Sequence, residues 1–142
     1  MILLSFFLVV TLIQIKAVST TGLALNFPFD EGFGDITEDT SGNGNNGTLI
    51  GDVNWTLDSI SGYALNFFSG YVRVDNSDSL NPSDELTLEA WVKRDSTGDQ
   101  MHIISKKPDI AGGWDLIIYT DNKVYFRIHD PVTTQVWSAV SV

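Results

Sequence analysis

The sequence predicts an all-β, antiparallel domain. From Leu23 onward the apolar residues come in short runs that alternate with polar ones, the runs are separated by Gly, Asn, Asp, Ser and Pro, and no stretch carries the 3.6-residue period of an amphipathic helix. A third observation is the loop Asp39-Thr40-Ser41-Gly42-Asn43-Gly44-Asn45-Asn46-Gly47-Thr48, whose glycines and asparagines suit backbone turns rather than helix.

Taken in order, the first element is Leu23–Phe29, a strand interrupted by Pro28, which belongs at an edge or a bulge because it has no N–H to donate. After the polar loop, Thr48–Ile50 and Val53–Trp55 read as a short, irregular strand pair. Tyr63–Phe67 and Tyr71–Val74 follow, joined across Phe68-Ser69-Gly70 as a hairpin. Ser77–Glu85 is a polar crossover with a turn at Leu80-Asn81-Pro82. The most regular strand is Leu86–Lys93, which sets Leu86, Leu88, Ala90 and Val92 on one face and Thr87, Glu89, Trp91 and Lys93 on the other. Ile103–Lys107 returns as strand after a loop. Trp114–Thr120 and Lys123–His129 form the clearest hairpin, turning on Asp121-Asn122. The last strand, Gln135–Val142, stops without a turn or polar tail, so the sequence reads as the N-terminal part of a longer domain.

The chain of 142 residues has room for one domain, and 43% apolar composition is ordinary for a globular fold. With 18 acidic against 8 basic residues the formal charge is -10, which disfavours nucleic acid and anionic membranes as partners. The absence of cysteine excludes a disulfide framework and a thiolate nucleophile. Residues 1–19 read as a signal peptide, with an apolar run from Ile2 to Ile15 followed by Ala17-Val18-Ser19 and cleavage after Ser19. No Lys or Arg precedes the run, which keeps an uncleaved anchor or a buried first strand open. The expected localisation is secreted, with residues 20–142 as the domain.

The polar loop offers oxygen ligands of the kind calcium takes: the Asp39 carboxylate, the Asn43 amide oxygen, the Ser41 or Thr48 hydroxyl and backbone carbonyls. An EF-hand is excluded, because Ile50 stands where the bidentate Glu belongs. A surface turn without an ion is the other reading. For catalysis, no pair of carboxylates shares a strand face in the manner of a glycosidase, and His102 and His129 have no partner at triad or metal spacing. Trp55, Trp91, Trp114, Trp137, Tyr71, Tyr119 and Tyr125 are candidates for stacking on sugar, most of them expected in the core, with Trp91 the first choice because it stands among charged residues. Asn46 and Asn54 fit the N-glycosylation pattern.

The order and spacing of Phe29-Asp30-Glu31-Gly32, the Asp39–Thr48 loop, Ala64-Leu65-Asn66-Phe67, Tyr71-Val72-Arg73-Val74, Leu80-Asn81-Pro82 and Leu86–Lys93 resemble the laminin G-like domains of the concanavalin A-like lectin/glucanase superfamily. The resemblance runs from about Leu23 to the end. It implies a two-sheet antiparallel jelly-roll sandwich and a calcium ion held by Asp39, Asn43 and a carbonyl near Thr48. The function it implies is a non-catalytic module that recognises carbohydrate or extracellular protein. An accessory domain cut from a carbohydrate-active enzyme, or a structural adhesion spacer, is the alternative.

Overall fold

The computed structural model describes residues 22–106, 113–129 and 134–141, the last stretch as backbone only. The expected signal peptide and its cleavage point lie outside the described residues. The fold is all-β, built from two antiparallel sheets that form a sandwich. One sheet has the order β1 (Ile36–Thr37), β2 (Gly47–Thr56), β3 (Ala64–Val74); the other has β4 (Met101–Lys106), β5 (Gly113–Ile118), β6 (Lys123–His129), β7 (Thr134–Ser141).

Several elements differ from the sequence expectation. Thr48–Ile50 and Val53–Trp55 are one strand, β2, and Tyr63–Phe67 and Tyr71–Val74 are one strand, β3, running past Phe68-Ser69-Gly70 without turning. The reason lies in the pairing. Val53 pairs with Phe67 and Asp52 with Ser69, so Phe68 is an extra residue with no partner, a β-bulge. Before it, Leu65 and Phe67 point inward; after it, Val72 and Val74 do. The bulge reverses the apolar alternation, which in the sequence looks like two strands. Gly51, at φ +80°, and Gly70 lie opposite each other beside the bulge, where an added Cβ on Gly51 would stand 2.7 Å from the Ser69 carbonyl oxygen.

Leu23–Phe29 is not a strand. Pro28 has no N–H, Phe29 turns the chain at φ +58°, and the Leu23 and Ala24 carbonyls and the Asn26 N–H bond to loop side chains, with the Asn26 carbonyl accepting from the Thr40 N–H. Leu86–Lys93 is not assigned as strand either, although its burial alternates as expected: Leu88, Ala90 and Val92 pack on the core while Glu89 and Trp91 are exposed. Alternation fixes which side chains go inward; a strand also needs a ladder, and no ladder partner for this segment lies among the described residues. The crossover contains a single 3-10 turn at Asp78–Leu80, pinned to β4 where Lys106 Nζ donates to the Leu80 carbonyl at 2.8 Å.

The core has two parts. Leu65, Phe67 and Val72 are buried on the inner face of the three-stranded sheet with Leu49, Val53 and Trp55 against them. Val74, Leu80, Ile103, Ile104 and Ile118 make the second cluster, with Trp114, Leu116 and Val124 from the other sheet. Phe27 packs against both clusters, so the non-strand segment 23–29 serves as filling between them.

Candidate functional site

The polar loop is built around Asp39. Its Oδ1 accepts from the backbone N–H of Asn26 at 3.0 Å and of Ser41 at 2.9 Å; its Oδ2 accepts from the Ser41 hydroxyl at 2.7 Å and the Asn45 N–H at 3.0 Å. Burial pushes the Asp39 carboxyl up, and these hydrogen bonds outweigh it and hold the pKa below its ordinary 3.8. Asn43 shares the Ser41 hydroxyl with Asp39 and donates to the carbonyl of Leu23 at 2.8 Å. Thr48 stands apart in β2, in register with Ile36 and Arg73. Of the three expected metal positions the structure therefore brings Asp39 and Asn43 together and leaves Thr48 in the ladder. The Asp39 oxygens face four donors, and a calcium ion here would have to take the carboxylate away from them.

Asn45, which the sequence reading did not single out, is the buried member of the loop. It donates to the Ala24 carbonyl and to Ser79 Oγ, both at 2.8 Å, and accepts from the Ser77 hydroxyl at 2.6 Å. One 6% exposed amide thus ties the first segment, the loop and the crossover together. The signal that could have found it is its place in a Gly-Asn-Gly-Asn-Asn-Gly run, where one amide must face inward. Asn46 is exposed and accepts from the Asp39 N–H at 3.0 Å; Asn54 is exposed on β2 and donates to Asp52 at 2.9 Å.

Among the tryptophans with described side chains, Trp91 is 63% exposed. Trp55 is half-buried with its Nε1–H donated to the Gly34 carbonyl at 2.8 Å, and Trp114 packs on the core. Trp137 lies outside the described side chains. Two acids near the loop are committed elsewhere: Asp30 accepts from the Tyr63 N–H and Glu31 from the Glu38 N–H and the Thr37 hydroxyl.

A second polar group stands on the four-stranded sheet, on the face away from the apolar cluster. The β5–β6 register puts Asp115 opposite Arg127, and the pair is bidentate: Arg127 Nε to Oδ1 at 2.7 Å, Nη2 to Oδ2 at 2.6 Å. His129, opposite Gly113, reaches diagonally so that its Nε2 lies 3.1 Å from Asp115 Oδ2. A bulge brings in His102. Its neighbour Ile104 pairs with Leu116 while His102 pairs with Ile117, so Ile103 is the extra residue and His102 falls on the Asp115 face, with Nδ1 3.6 Å from Oδ2. Both histidines are strand residues, and the fold sets them beside one carboxylate that is fully buried, a grouping that their separation in the sequence does not show. Burial pushes the Asp115 carboxyl up, and the hydrogen bonds and charges of Arg127 and His129 hold it below its ordinary 3.8. Ser105 stands opposite Asp115 in the β4–β5 register. Among the described residues, no three His, Cys, Asp or Glu side chains form a metal-holding group.

Among the described residues no helix is long and apolar enough to cross a membrane. No curated protein and no solved structure matches the chain. The expected metal positions all precede the stretch that a family model does match. That stretch, residues 66–142, is more than half of the chain and matches the laminin G model of the Concanavalin A-like lectin/glucanases superfamily, and with two antiparallel sheets to go with it the chain belongs to this family.

Proposed function

We propose that the protein is a secreted, non-catalytic recognition module that binds carbohydrate or an extracellular protein, with Trp91 as its stacking side chain. The family points to carbohydrate or protein binding, and the observation that carries the finer reading is the exposure of Trp91. An indole left 63% in water gives up burial that Trp114 obtains in the core, and its flat apolar face suits the C–H face of a sugar ring. The absence of a catalytic role rests on the way Asp30, Glu31, Asp39 and Asp115 are each engaged in closing turns or neutralising Arg127.

A glycan array tests it. Binding to a defined set of glycans is expected, with Trp91→Ala abolishing it and leaving unfolding free energy within about 0.5 kcal/mol, because the side chain is exposed. No glycan binding, with equal behaviour of the variant, would favour the structural spacer. A structural calcium at Asp39, Asn43 and Thr48 is a separable part of the proposal. Calcium is expected to raise the melting temperature of the native chain and not that of Asp39→Ala, with chelator reversing it. Expression in a eukaryotic secretory host reports on secretion, and glycan mass on Asn46 or Asn54 reports on the two acceptor sites.

A further inference from the structure

We propose that the outer face of the three-stranded sheet is the docking surface of an N-linked glycan on Asn54, whose innermost sugar stacks on Phe68 and hydrogen-bonds to Asn66. The proposal rests on the reading of the chain as secreted and goes beyond it by giving the glycan a fixed place on the protein. It is independent of Trp91 and of the polar loop.

The register of β2 and β3 brings the three residues together. Val53, Leu65 and Phe67 belong to the core, so Asn54 and Asn66, which pair directly across the two strands, stand on the side away from it. Residues opposite each other in this way have Cβ atoms about 5 Å apart. Asp52 is on the outer side too, and its Oδ1 accepts from Asn54 Nδ2 at 2.9 Å. Phe68 is the bulge residue, inserted on β3 between the partners of Asp52 and Val53, and its 67% exposure places it on the outer side beside Asn54. One row further along this face Ile50 pairs with Tyr71, both half-buried, so the apolar surface continues past the bulge. Asn54-Trp55-Thr56, the acceptor sequence, thus lies with its asparagine at the border of an apolar strip.

The chemistry of the linkage suits this surface. On glycosylation the bond from Asn54 Nδ2 to the sugar C1 forms, the bond from C1 to the diphosphate of a lipid-linked oligosaccharide donor breaks, and one Nδ2 hydrogen leaves as a proton. The other hydrogen stays, and Asp52 Oδ1 accepts it, which holds the plane of the linkage. A β-linked N-acetylglucosamine has its substituents equatorial, so each face of the ring is a set of axial C–H bonds that matches the flat apolar face of a phenyl ring. Asn66 supplies the polar contact. It is half-buried and its side chain has no hydrogen bond among the described residues, so a sugar hydroxyl or the N-acetyl group provides the partner that this amide lacks.

The full chain, expressed in a eukaryotic secretory host, provides the test. Glycopeptide mass spectrometry is expected to find Asn54 occupied. In NMR spectra the ring protons of its first sugar should lie upfield of their positions in the urea-unfolded glycoprotein, through the ring current of Phe68, and Asn54→Gln identifies these resonances by removing them. Phe68→Ser should return them to the unfolded positions, and so should Phe68→Leu, which keeps an apolar side chain at the bulge. Exchange at this exposed position costs the sheet little, so the effect is read on the sugar. An endoglycosidase that cuts between the first two sugars should trim the folded Phe68→Ser protein about two- to tenfold faster, the scale of one lost aromatic contact. A chain that never enters the secretory pathway overturns this proposal together with the reading of the protein as secreted. A secreted chain bare at Asn54, or sugar resonances and trimming rates unchanged in both folded Phe68 variants, overturns this proposal alone.

Discussion

Replacing Asp39 by alanine takes the acceptor from four donors at once, and the cost can be worked from where those donors lie. The N–H of Asn26 belongs to an exposed residue and the Ser41 N–H and hydroxyl to a half-buried one, so they can turn to water and lose little beyond a cap, about 1 kcal/mol. The Asn45 N–H belongs to a buried residue, and leaving such a donor unsatisfied costs about 1–3 kcal/mol. Together they come to about 3 kcal/mol, a large share of the roughly 5–15 kcal/mol by which domains are stable. In urea, at a slope of about 2 kcal/mol per molar, the midpoint should fall by about 1.5 M at pH 7.

The same substitution predicts a pH signature. Because the folded pKa of Asp39 is depressed, its contribution is present above the unfolded value near 3.9 and is lost as pH falls through the folded one. The gap between native protein and variant should therefore close at the acid end. A midpoint unchanged at pH 7, or a gap as wide at pH 3 as at pH 7, would refute the account of the loop as a carboxylate hub.

Two further substitutions probe the packing. In Gly47→Ala the new methyl would run into Val72 Cγ1 and stand 2.8 Å from Thr37 Cγ2 and 3.0 Å from the Phe27 ring, so overpacking should cost about 1–3 kcal/mol in a urea titration. Asp115→Asn keeps the side chain's size but leaves Arg127 without its charge partner; breaking such a pair should cost about 3 kcal/mol, the low end because the guanidinium keeps some solvent contact. Since the Asp115 pKa is also depressed, that loss should shrink as pH falls below the ordinary carboxylate value of 3.8.

What the sequence disclosed depended on how local the relevant physics is. Lys123–His129 is a strand with the expected ends, and Leu86–Lys93 buries the expected side chains, because alternation is written in consecutive residues. Pairing is not. Asp121-Asn122 taken as a two-residue turn would pair Thr120 with Lys123 and set Asp115 opposite Ile128. In the structure Tyr119 donates to the Lys123 carbonyl and Asn122 to the Tyr119 carbonyl, with Asn122 at φ +61°, which is a three-residue loop closed by a left-handed residue. That single step of register creates the Asp115–Arg127 pair, and the bulge at Ile103 adds His102. In the polar loop the residue types were legible as turn chemistry, whereas the contact of Asp39 with the N–H of Asn26, 13 residues earlier, depends on the fold.

The unpaired Phe68 has a consequence for how this stretch can vary over time. The residue is 67% exposed, so many others could stand there, yet the position itself is a counting device. Deleting it would leave Val72 and Val74, or else Leu65 and Phe67, turned out towards water. Variation at this point is therefore free in kind but not in number: exchange of the residue is cheap, while loss of one codon would undo the agreement between the two halves of the sheet.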